Sequence, residues 1–163
     1  MDEQEFPQPA RDETPAERDD RNWTELLQEV RVTQTGIQIL SGFLLTIPFQ
    51  SRFTDLSPRM VGLFVTAVGF AATSTLLVVA PVSLHRVLFR RHLKRSLVDV
   101  SDILAKTGLA FLAVTITLVT GLVFGFVLGE SAAMVAIVVA ACAFVGVWIV
   151  LPLTVLARSA GPR

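Results

Sequence analysis

The stretch RNWTELLQEVRVTQTGIQILSGFLLTIPFQSRF, residues 21–53, begins as a charged amphipathic helix and turns into an apolar one without a break. Trp23, Leu26, Leu27 and Val30 give its first turns an apolar side, and Glu25, Gln28, Glu29 and Arg31 a wet one. That is the pattern of a helix lying at a membrane surface before it dives. Residues 32–49 carry no charge. Eighteen residues at the helical rise cover about 27 Å, close to the thickness of a bilayer's hydrocarbon. Pro48 falls in the last turn, and Ser51 with Arg52 marks the exit.

Outward from this stretch the same logic repeats three times. The apolar runs place spans at about 32–50, 60–81, 106–129 and 131–156. The expected fold class is therefore all-α: an integral membrane four-helix bundle over residues 22–158. Residues 1–21 are expected to be a disordered acidic tail. They are rich in Asp, Glu, Arg and Pro and have too little apolar surface to offset the entropy of ordering. Helix 1 is expected to begin near Asn22, and Pro81 to kink or end helix 2.

Composition supports this organisation. The chain is 52% hydrophobic and only 17% charged, with a mean hydropathy of +0.61, whereas soluble domains are about one quarter charged. The net charge is zero, but residues 1–22 hold eight acids and three bases, so an acidic tail precedes a basic body. The acidic N-terminus does not read as a signal peptide. The single cysteine, Cys142, excludes a disulfide framework within the chain and a cysteine metal cluster; it reads as a small hydrophobe.

Basic residues orient the spans. The connection between helices 2 and 3 holds Arg86, Arg90, Arg91, Lys94, Arg95 and Lys106, against two bases in the first loop and none in the third. Positive residues stay in the cytoplasm, so this connection and both termini are expected there, in a bacterial inner membrane. Arg86, Arg90, Arg91, Lys94 and Arg95 set topology and are placed to grip anionic lipid headgroups, each contributing about 1 kcal/mol near the surface. Six bases beside a membrane are not expected to bind nucleic acid.

Two constellations could carry more than topology. Gly121, Gly125 and Gly129 on helix 3, and Ala132, Ala136 and Ala140 on helix 4, recur at four-residue steps. Small residues let helix backbones approach closely where lipid gives little drive to associate. Packing of helices 3 and 4 within one chain is the first expectation, and a seam with a second copy or a membrane-protein partner the second. On helix 1, Arg31, Gln34, Gln38 and Ser41 share a side by three- and four-residue spacing. Amides facing lipid are costly, so this side is expected to point into the bundle. There it would hydrogen-bond to Thr66, Thr73, Thr115 or Thr117, or line a polar pathway.

Other chemistry is not in evidence. No acid and no histidine falls inside a span, although midplane proton and cation sites usually use them. His85 and His92 lack further ligands for a metal. There is no phosphate loop, nucleophile elbow or pair of intramembrane acids. No cofactor and no enzyme activity are expected.

Residues 21–53, together with APVSLHRVLFRRHLKR at residues 80–95, resemble an uncharacterised family of small four-span membrane proteins, mostly actinobacterial, catalogued as a domain of unknown function. The resemblance covers roughly residues 21–157 and implies no established activity. Some relatives carry a sodium:proton antiporter label, which spans free of acids do not support. The expected role is a non-enzymatic structural or interaction subunit. The alternative is a small cation or proton transporter or channel component using the polar side of helix 1.

Overall fold

A computed structural model describes residues 14–88 and 94–159. It is a bundle of four long antiparallel rods. Helix α1 spans Pro15–Thr46, α2 Pro58–Leu88 and α3 Lys94–Leu128. The fourth rod is α4, Glu130–Val145, which continues through a π-helical turn at Gly146–Val150 into α5, Leu151–Ser159. Each of the four rods contains a stretch long and apolar enough to cross a membrane.

Helix α1 starts seven residues before the expected Asn22, inside the segment assigned to the tail. Thr14 caps it: the Glu17 carboxylate accepts from the Thr14 backbone N–H at 2.9 Å, and the Glu17 N–H donates to Thr14 Oγ1 at 3.3 Å. Pro15 opens the first turn, where its missing N–H costs nothing. This reciprocal cap satisfies two helix-end donors and offsets the weak apolar content of the turns that follow. The rest of the expected tail, residues 1–13, lies outside the described residues.

Pro48 ends α1 in a 3₁₀ turn, Ile47–Phe49, and a second turn, Ser51–Asp55, leads to α2. Pro81 does not end α2. It lies inside the helix, fully buried, and α2 runs on to Leu88. At the far end of α3 the junction with α4 is one residue, Gly129, at φ 95°. That left-handed conformation strains any residue with a Cβ, so glycine here makes the reversal.

The middle of the molecule is the α2–α3 pair. Ser74 Oγ donates to the Gly108 carbonyl at 2.7 Å across this contact, fully buried. A Cβ on Gly108 would stand 2.6 Å from Val78 Cγ2, so the two backbones are in near contact here. Helix α1 seats on this pair through two core clusters. Leu44 joins Met60, Phe64, Ala67, Ala71, Leu122 and Ala133 at one end, and Leu26, Val30 and Ile37 join Val78 and Ala105 at the other. On the fourth rod only Ala133 and Ala136 are buried among the described residues, and every residue from Val147 to Ser159 is exposed. Large apolar side chains are exposed along all four rods. Water would not tolerate so much contiguous apolar surface, and the hydrocarbon of a bilayer accepts it.

Candidate functional site

Helix α1 carries the amide side chains at membrane depth, Gln34 and Gln38, and their placement differs from the expectation. The face that α1 turns into the bundle is Leu26, Val30, Ile37 and Leu44. Gln34 and Ser41 are half-buried at its edge, and Gln38 and Arg31 are exposed. The physical reason is spacing. Ile37 and Leu44 are a heptad apart and fill the cleft over α2 and α3, so Gln38, one residue on, is turned about 100° away.

The four threonines expected to meet the glutamines do not. Thr66, Thr73, Thr115 and Thr117 each donate to the carbonyl four residues back on their own helix, at 2.8 to 2.9 Å. This local bond satisfies a hydroxyl in lipid without any partner helix. Thr115 and Thr117 are buried, while Thr66 is exposed. Ser101 on α3 has a buried hydroxyl with no hydrogen-bond partner.

Beside the polar edge of α1 runs a groove of about 310 Å³ between α1 and α2. Ser41, Leu44 and Leu45 form one wall and Val68, Ala71, Ala72 and Thr75 the other. It is predominantly apolar, with two hydroxyl-bearing residues. Thr75 already donates to its own helix at 2.9 Å.

The small-residue steps on α3 and α4 come together in part. A Cβ on Gly121 would stand 2.7 Å from Ile137 Cδ1 and closer still to Cγ1. A Cβ on Gly125 would stand 2.5 Å from Met60 Cε and 2.9 Å from Ala133 Cβ. Both glycines are thus consumed by packing within the chain. Gly129 is exposed and serves the turn. Ala136 is buried, Ala132 and Ala140 are half-buried, and Ala133, outside the four-residue series, carries the contact with Gly125. The sequence signal for Ala133 is its spacing of three from Ala136.

At the end of the bundle holding the short turns, Glu130 at the start of α4 accepts from the Ser57 hydroxyl and pairs with Arg59 at 3.4 Å. Arg52 lies over the Phe126 ring, 5.2 Å from its centroid. Arg52, Ser57, Phe126 and Glu130 border a shallow hollow of about 190 Å³. Glu130 and Arg59 are exposed, which makes this a clasp between α2 and α4 of small energy.

At the opposite end, Arg86 is exposed on α2, and Lys94 and Arg95 begin α3. Arg90 and Arg91 lie outside the described residues. Among the described residues, no three His, Cys, Asp or Glu side chains gather as a metal site.

Residues 12–152 match the model of a family described as a family of unknown function, DUF6328. No curated protein and no solved structure matches the chain.

Proposed function

Starting from membership of DUF6328, to which this chain belongs, we propose that it is a non-enzymatic interaction subunit of the bacterial inner membrane that binds another membrane-embedded helix. One observation carries this reading: Gln38 is exposed on α1, six residues beyond the start of the uncharged segment at Val32. That is about 9 Å along the helix, too deep for a short side chain to reach the headgroups. An amide turned toward lipid is costly, and hydrogen bonding to a partner helix removes that cost.

The same placement disfavours the transporter alternative. A pathway needs polar groups turned toward a shared interior, and the threonines of α2 and α3 spend their hydroxyls on their own helices. In the proposed topology both termini are cytoplasmic, and Arg86, Arg90, Arg91, Lys94 and Arg95 anchor that face through anionic headgroups.

A photoreactive benzophenone amino acid at position 38 in living cells tests the reading. Covalent adducts of the full-length protein with protein are expected. Adducts with lipid alone would refute it.

A further inference from the structure

We infer that the exposed side of α1 is the seam of a parallel dimer between two copies of this chain; this rests on the interaction reading above and names its partner. Arg31, Thr35, Gln38, Gly42 and Leu45 advance along the helix by four, three, four and three residues, and all five are exposed. Alternating steps of three and four are the 3.5-residue repeat that holds one side of a helix against another through a left-handed crossing. The chain's own packing leaves this line unused, because α1 seats on its neighbours through Val30, Ile37 and Leu44.

Gly42 lies on this line and leaves room for close approach, although Gly36, off the line, is equally open. A Cβ on Gly42 would meet nothing within 4 Å, so nothing inside the chain calls for glycine, although glycine is the costliest residue after proline in a helix interior. Gly121 and Gly125 behave in the opposite way, because their missing side chains make room for Ile137, Ala133 and Met60. Close approach of a helix from outside the chain gives Gly42 the same role.

Symmetry selects a second copy as the occupant. Two copies inserted the same way in one bilayer are related by a two-fold axis along the membrane normal, so residues at equal depth meet. Each Gln38 then faces its counterpart. An amide has both donors and acceptor lone pairs, so the two satisfy each other reciprocally, as a single polar residue does in the seam of a coiled coil. Gly42 meets Gly42 one turn deeper, and Leu45 closes the apolar end. Arg31 lies at the headgroup level, where its long side chain can turn outward to water and anionic headgroups, away from its counterpart.

The test is disulfide scanning of the full chain in native membranes. The free, exposed Cys142 is first replaced by Cys142→Ala. Gln38→Cys, Gly42→Cys and Leu45→Cys should oxidise to a band of doubled mass, because a disulfide demands Cβ atoms about 3.5–4.5 Å apart. Val32→Cys, Ile39→Cys and Phe43→Cys, exposed on other sides of α1, should give several-fold less. Gln38→Leu in the Gly42→Cys background should weaken association about threefold to tenfold. Equal cross-linking at all six positions would mean random collision and overturn the seam. Doubled-mass bands from Gly69→Cys on α2 in place of the α1 positions would overturn it as well. If benzophenone at position 38 captures a different protein and no doubled-mass band forms, the second copy is refuted and the interaction reading stands. Lipid adducts alone would refute both.

Discussion

Gly121→Ala adds one methyl group where α3 and α4 are nearly in backbone contact. The new carbon would stand 2.7 Å from Ile137 Cδ1, nearer still to Cγ1, and 3.3 Å from the Ala133 carbonyl oxygen. Ile137 is β-branched and stiff at χ1, and the carbonyl is backbone, so neither can give way cheaply. Overpacking of this kind costs about 1–3 kcal/mol, and the gain in helix propensity from Gly to Ala returns about 1 kcal/mol. Contacts under 3 Å put Gly121→Ala in the upper half of that range, about 2–3 kcal/mol, so the net is about 1–2 kcal/mol against the variant. For a chain of this size each kcal/mol moves the melting temperature by about 2–4 °C, so Gly121→Ala should melt about 2–8 °C below the parent in detergent. Gly125→Ala should lose a similar amount: Met60 Cε is the end of a flexible side chain and can move aside, but Ala133 Cβ, 2.9 Å from the new carbon, has no rotamer to turn to. Gly36→Ala is the control: its Cβ meets nothing within 4 Å, so it should hold or raise the melting temperature. Melting of Gly121→Ala at or above the parent, with Gly36→Ala falling, would refute the assignment of the glycines to packing within the chain.

Ser74→Ala removes the buried bond to the Gly108 carbonyl and should cost about 0.6 kcal/mol, at most about 2, read as a lowered melting midpoint. A cysteine in place of Arg90, in a Cys142→Ala background, should react with an impermeant maleimide only when the cytoplasmic face is open; labelling of intact cells would invert the topology. The Glu17 carboxyl is held below the usual carboxylate range by hydrogen bonds from the Thr14 backbone N–H and hydroxyl. A depressed pKa means that the cap's contribution is full above the ordinary carboxylate range and is lost as pH falls through the lower folded value. The protection factor at Arg18, whose N–H donates to the Thr14 carbonyl, taken relative to the base-catalysed intrinsic exchange rate at each pH, should therefore fall on acidification, and Thr14→Ala should abolish that pH dependence.

The four rods were legible because apolar runs of bilayer length have few alternative readings. The first turn of α1 was less so: the acidic, proline-containing composition of residues 1–21 suggested disorder, although Thr14, Pro15 and Glu17 stand at the spacing of a capping box. The side that α1 turns inward was misread for a different reason. In water, polarity marks the outside of a helix. In lipid both sides of α1 are largely apolar, and a polar residue predicts only that it needs a partner, without saying on which side that partner lies. Gln38 and Ile37 are neighbours in sequence, and only the packing of Ile37 against Val78 and Ala105 separates their fates. Gly108 stands outside the small-residue series of α3, so its contact with Val78 left no periodic trace.

The single-residue junction at Gly129 bears on biogenesis. With one residue between them, α3 and α4 pay almost no loop-closure entropy to pair, and the clasp of Glu130 with Ser57 and Arg59 lies at the same end. As the chain emerges from the ribosome and leaves the insertion machinery, α3 and α4 should therefore enter the bilayer as one hairpin. Helix α1 leaves first, and residues 47–57 separate it from α2; its seating between α2 and α3 must wait until α3 has been made. For that interval Ile37 and Leu44 are in lipid alongside Gln38, and α1 is free to roll before the rest of its own chain arrives.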